Sequence, residues 1–164
     1  MPARLYGKTG KMTENPNTRP IVVGVDGSPS SISALLKASQ LSRVLDLPME
    51  AVTTYPAAAD PSYYFYPIEK SSPEQDAKKT LDRAIASAFG KAPLPTFERV
   101  LLEGPPARVL IDRSQEASML VLGSRGHGGF AGLLLGSVST ACAAHAKCPV
   151  LIMRSDAETE SATL

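Results

Sequence analysis

The segment Met119-Leu-Val-Leu-Gly-Ser-Arg-Gly126, followed after nine residues by Gly136-Ser-Val-Ser139, decides how the rest of the chain is read. Met119 to Leu122 is a short apolar run of the kind that forms a buried strand. Val138 to His145 has helical character. The loop between them is rich in glycine, which accepts positive φ and carries no side chain to hold a ligand off. A helix start behind such a loop presents unpaired N–H groups and the positive end of the helix dipole. Strand, glycine loop and helix in that order suit close approach of bare backbone to an anion. The spacing predicts a cradle for the phosphates of a nucleotide.

Working outward from this segment, strands and helices alternate. Ile21 to Val25 is a β-branched apolar run, expected of a strand covered on both faces. In Asp26-Gly-Ser-Pro-Ser30, Ser28 suits an N-cap and Pro29 the first helical position. Ala34, Ala38, Leu41 and Leu45 then recur at helical spacing, and Pro48 is expected to close that helix. Met49 to Tyr55 reads as the second strand. Ser72-Pro-Glu-Gln75 is a capping box, and Leu81, Ala84, Ile85 and Ala88 form an apolar stripe that Gly90 and Pro93 end. Thr96 to Leu102 reads as the third strand, and Gly104-Pro-Pro turns the chain into a helix carrying Val109, Leu110 and Ile111. Val150 to Met153 is the last strand. Pro56 to Ser71 is a long insertion in which Tyr63, Tyr64, Phe65 and Tyr66 stand together. It reads as an aromatic flap over the edge of the domain, or as a lid or partner contact.

Strict alternation with buried strands implies an α/β fold, a parallel sheet with helices on both faces and right-handed crossovers. In such sheets ligands bind beyond the carboxyl ends of the strands, where the winding reverses. With the first and fourth strands adjacent, Asp26 would face the Gly123 loop across one crevice. Spacing alone does not establish that adjacency.

The 164 residues, 43% apolar and 20% charged, suit one domain over residues 20–154, with polar tails at 1–19 and 155–164. A net charge of +1 from scattered Lys and Arg gives no reason to expect nucleic acid or an acidic membrane as partner. No apolar run approaches the ~18–20 residues needed to span a bilayer. The first twenty residues lack the apolar stretch of a secretory signal, so a cytoplasmic location is the expectation. Cys142 and Cys148 are then expected to be small, reduced, buried thiols, although count alone would permit a bridge. The cysteines and histidines do not fall in paired metal-ligand spacing.

Other nucleotide motifs fit poorly. A P-loop needs G-x-x-x-x-G-K-[ST], and no stretch of this sequence has both glycines at that spacing before Lys-Ser/Thr. Gly126-His-Gly-Gly-Phe-Ala131 matches G-x-G-x-x-A but lacks the later acidic residue that would bind a ribose. His127 inside this loop would need an oriented partner to act as acid or base, and none is visible in the sequence. His145 falls where it can meet the C-terminal dipole of its helix.

What remains is G-x2-G-x9-G-S. With Val25-Asp-Gly-Ser-Pro-Ser30, Gly123-Ser-Arg-Gly-His-Gly-Gly129, Leu134-Leu-Gly-Ser-Val-Ser139 and Cys148-Pro-Val-Leu-Ile-Met153, the chain resembles the ATP-binding branch of the universal stress protein family from about Ile21 to Arg154. The resemblance implies a Rossmann-like sheet of five parallel strands in the order 3-2-1-4-5, with ATP between strands 1 and 4. It implies a phosphate loop made by Gly123, Ser124, Arg125 and Gly126 with Gly136, Ser137, Val138 and Ser139. It places Gly24, Val25 and Asp26 near the adenosine end and the Tyr55 backbone at the adenine edge. It also implies a homodimer through the last strand, and an apolar edge such as Val150 to Met153 invites that pairing.

Elementary chemistry accommodates these roles. Ser137 and Ser139 hydroxyls can donate to phosphate oxygens or simply cap the helix. Arg125 can balance phosphate charge. Asp26 can accept from a ribose hydroxyl, help hold Mg²⁺, or bond to its own turn. A phosphate cradle without a catalytic constellation points to a binding module whose conformation or partner follows occupancy by ATP, ADP or AMP. Two alternatives stand beside it: a slow ATPase or adenine-nucleotide hydrolase using Asp26 and a metal, and a structural dimer with a vestigial cradle. The stress signal and the downstream protein partner are not encoded in any motif.

Overall fold

The computed structural model describes residues 19–57, 72–90, 97–126 and 134–155. The order is β1 (Ile21–Gly24), α1 (Pro29–Leu45), β2 (Met49–Tyr55), α2 (Pro73–Phe89), β3 (Glu98–Glu103), α3 (Pro106–Arg113), β4 (Met119–Gly123), α4 (Ser137–His145) and β5 (Val150–Met153), with a single 3₁₀ turn (Ser114–Glu116) before β4. All four strand pairings are parallel and give one five-stranded sheet in the order β3-β2-β1-β4-β5. The expected Rossmann-like fold is therefore present, with β1 beside β4.

Side chains alternate across this sheet as the pleat requires. Ile21, Val23, Ala51, Leu101 and Val121 point to the face covered by Ala34, Leu35 and Ala38 of α1 and Leu81, Ala84 and Ile85 of α2. Val22, Val52, Leu120 and Leu122 point the other way, against Leu110 of α3 and Cys142 of α4. Both faces of β1 are closed, which is why Ile21 to Val23 read as an unbroken apolar run. Cys142 is fully buried and Cys148 half-buried, both as free thiols that burial makes harder to ionise.

Local capping behaves as the sequence suggests at two helices. Ser28 caps α1 by accepting from the Ser31 N–H, and Ser72 with Gln75 forms the reciprocal capping box of α2. Some boundaries move. The α1 helix ends at Leu45 because Asp46 takes the left-handed conformation at φ 52°, so the stop comes before Pro48. The Leu47 N–H then closes on the Ser42 carbonyl at 3.0 Å, while the Ser42 hydroxyl donates to the Leu47 carbonyl at 2.6 Å. Strand β3 runs to Glu103, paired with Tyr55, instead of stopping at Leu102. The expectations for residues 1–18, for Tyr63 to Tyr66, for Pro93, for His127 and for most of the C-terminal tail lie outside the described residues.

One buried charge braces α3 to the sheet. Glu50 on β2 is 8% exposed, and the Arg113 guanidinium meets its carboxylate through three contacts of 2.6–2.9 Å. Removing only one member leaves the other charge under-solvated. Arg113→Ala is expected to cost about 2–4 kcal/mol, below the fully buried range because the guanidinium keeps some water contact. Urea unfolding of both proteins checks this, and a loss below about half a kcal/mol would mean that water replaces the arginine.

Candidate functional site

Chain winding reverses between β1 and β4, where α1 leaves toward one face and α4 packs on the other. A cleft of about 710 Å³ opens there, inside the size range of ligand sites. Gly24, Val25 and Asp26 line it from the end of β1, and Tyr55 from the end of β2. Gly123, Arg125 and Gly126 line it from the end of β4, and Gly136, Ser137, Val138 and Ser139 from the start of α4. Ser124 is the exception among the sequence-selected residues. It is 1% exposed and sits beneath the loop, with its N–H on the Met153 carbonyl at 2.7 Å.

The glycines serve close approach, not unusual backbone angles. Positive φ occurs among the described glycines at Gly27, Gly90 and Gly104, not at Gly123, Gly126 or Gly136. A Cβ on Gly123 would stand 2.5 Å from the Ser30 hydroxyl and 2.7 Å from the Ser31 nitrogen, so the first turn of α1 occupies that space. A Cβ on Gly24 would lie 2.7 Å from Leu122, so this glycine makes room for the cleft floor. Gly126 faces Asp26, whose Oδ2 would be 2.5 Å from an added Cβ. Gly136 is looser, with nothing nearer than 3.5 Å.

Helix α4 begins at Ser137, with Gly136 at the cap position and no side-chain cap, whereas α1 and α2 are capped by serine. Its first intrahelical bond is from the Thr140 N–H to the Gly136 carbonyl at 2.9 Å. The N–H groups of Ser137, Val138 and Ser139 therefore come before the ladder, at the cleft. An uncapped start of this kind is a place for an anion. The Ser139 hydroxyl, however, is not directed at a ligand. It is buried and donates to the Gly123 carbonyl at 2.7 Å, with the Ser124 carbonyl at 3.2 Å, because the loop packs directly over it. What Ser139 offers to the cleft is its backbone.

Asp26 adopts the turn arrangement that its sequence position allows. Its Oδ1 accepts from the Ser28 N–H at 3.0 Å and the Ser28 hydroxyl at 2.6 Å. Oδ2 is turned toward Gly126. Among the described residues no group of three or more His, Cys, Asp or Glu could hold a metal ion. Asp26 could give a cation at this cleft one carboxylate.

Sequence reading missed the opposite wall. Pro73, Asp76 and Thr80 of α2, Pro106 and Leu110 of α3, and Thr53 and Thr54 of β2 also line the cleft. The signal was available in part: in a parallel sheet each following helix starts at the same edge as the strand ends, so the capping box at Ser72 marks a rim position. Tyr55 joins this wall. Burial, with the Glu74 and Glu103 carboxylates nearby, pushes its phenol pKa up, so the hydroxyl remains a donor. Its carbonyl accepts the Gly104 N–H at 2.9 Å.

Residues 17–154 match the family model described as the universal stress protein family. The chain belongs to that family. A universal stress protein of Mycobacterium tuberculosis is 35% identical over 141 residues, which is 85% of this chain and 46% of that protein. Another from the same species is 33% identical over 141 residues, covering 85% and 47%. This universal stress protein chain thus spans about half the length of the mycobacterial relatives it matches. A universal stress protein solved in complex with cAMP is 29% identical with a TM-score of 0.58, covering 84% of this chain and 98% of that one. The universal stress protein from Archaeoglobus fulgidus is 25% identical with a TM-score of 0.60, covering 82% and 97%.

Proposed function

We propose that this universal stress protein domain binds an adenine nucleotide, ATP with ADP or AMP as related ligands, and acts as a regulatory stress-response module whose state follows occupancy. The carrying observation is the uncapped start of α4, opening onto a cleft bordered by Gly126 and Gly136 at the β1/β4 reversal. The 29% identical relative in complex with cAMP supports the same ligand class. The phosphates would meet the backbone of Gly126, Ser137, Val138 and Ser139, with Arg125 beside them and Ser124 holding the loop from below. Gly24, Val25, Asp26 and Tyr55 would border the nucleoside. Mg²⁺, if it accompanies the nucleotide, would be met by Asp26 Oδ2. Asp26 Oδ1 is held in the Ser28 turn, which favours a binding role over a hydrolytic one.

The working unit is residues 20–154 in the cytoplasm, paired as a homodimer. The pairing surface is β5, which lies at the sheet edge with β4 as its strand neighbour among the described residues and carries four half-buried apolar residues. No described helix is long and apolar enough to cross a membrane.

Thermal unfolding with ATP, ADP, AMP and cAMP tests the reading. At a hundred times Kd, a ligand should stabilise the fold by ~2.7 kcal/mol, roughly 5–10 °C in Tm for a domain of this size. If none of the four raises Tm in a folded sample, the domain is not a nucleotide receptor.

A further inference from the structure

We infer that Ser30 is a positioning residue for the phosphate cradle, an inference that rests on the nucleotide reading above. Ser30 is 2% exposed and does not border the cleft. Its hydroxyl donates to the Arg125 carbonyl at 2.5 Å, across 95 residues of chain, and the Ser28 hydroxyl lies 3.2 Å from the same oxygen. The contact exists because Gly123 has no Cβ, which lets the first turn of α1 press against the end of β4.

The consequence follows from peptide geometry. In a planar trans peptide the C=O and the following N–H point in opposite directions. Anchoring the Arg125 carbonyl toward α1 therefore turns the Gly126 N–H away from α1. Gly126 borders the cleft, and its nitrogen lies 3.7 Å from where a Cβ of Gly136 would stand, beside the start of α4. The neighbouring peptides are fixed by the same device. The Ser139 hydroxyl and the Gly136 N–H, at 2.7 Å each, take the Gly123 and Ser124 carbonyls. The carbonyls of Gly123, Ser124 and Arg125 are thereby held by α1 and α4, which keeps their lone pairs turned away from a phosphate at the cleft.

Wild type, Ser30→Ala, Ser30→Cys and Ser114→Ala are to be titrated with ADP and with adenosine, followed by amide NMR, with Tm measured for each. Ser114 is an equally buried serine away from the cleft, so its variant reports general loosening. Ser30→Ala should weaken ADP about tenfold, the value of one hydrogen bond, and leave adenosine unchanged. Ser30→Cys, close in shape with a weaker donor, should show a smaller loss in the same direction, and it decides the matter if the alanine variant does not fold. Equal losses for ADP and adenosine, no loss for ADP, or the same ADP loss in Ser114→Ala would overturn the assignment. If wild type binds neither compound, the nucleotide reading fails and takes this one with it; wild-type binding with unaltered variants removes the role of Ser30 alone.

Discussion

Gly126→Val should lose ATP binding by roughly two orders of magnitude or more while the domain stays folded. The added Cβ would stand 2.5 Å from Asp26 Oδ2, nearer than carbon and oxygen approach without bonding. Asp26 cannot swing aside cheaply, because its other oxygen is held by the Ser28 N–H and hydroxyl. The loop must yield instead, and moving it displaces the Gly126 N–H and fills the space between β1 and β4. A valine also carries two methyl groups at the place where a phosphate would lie. Gly126 belongs to no strand or helix, so the stability cost is expected to be modest, about 1–2 kcal/mol. Calorimetry with ATP and a thermal melt separate the two effects. Unchanged ATP affinity in this variant would mean that the nucleotide does not lie against Gly126.

Gly123→Ala is expected to act mainly on stability, at about 3 kcal/mol or above. Its Cβ would meet the Ser30 hydroxyl at 2.5 Å, the Ser31 nitrogen at 2.7 Å and the Ser30 carbonyl carbon at 2.8 Å. Two of those three atoms are backbone in the first turn of α1, and they cannot rotate away. Relief requires α1 to lift from the sheet, and α1 carries Ala34, Leu35 and Ala38, each fully buried against the strands. Urea denaturation measures the loss directly. Full stability would show that α1 can shift without disturbing that core. The two glycines thus differ in kind, although both belong to one motif: one leaves room for the backbone of a helix, the other for the Asp26 carboxylate at the cleft.

That distinction marks where sequence reading ends. The run Ile21 to Val23, buried on both faces, announced a central strand, and Ser28-Pro29 and Ser72-Pro73 announced two helix starts. These signals are local, since caps and apolar stripes act between residues within four positions. The same locality explains the misplaced end of α1. Asp46 adopts a left-handed angle that few residues other than glycine favour, and Pro48 was the more visible breaker. The G-x2-G-x9-G-S spacing located the cleft, and every residue it selected lies there apart from Ser124 beneath it. It could not say which way the Ser139 hydroxyl turns, because that depends on how closely the loop packs over α4.

By itself the amino-acid sequence determined the alternation of strands and helices, the covered strands, the serine-capped helix starts and the family-defining glycine spacing. Each of these is written in short-range patterns of size, polarity and backbone freedom. Residue spacing did not establish that β1 lies beside β4, which the family resemblance implied and the sheet bears out; only the tertiary structure decided that the start of α1 fills the space left by Gly123 and that Ser30 reaches Arg125. Those contacts join segments about a hundred residues apart. They exist because right-handed crossovers bring the carboxyl ends of the two central strands side by side, and no local pattern encodes that distance.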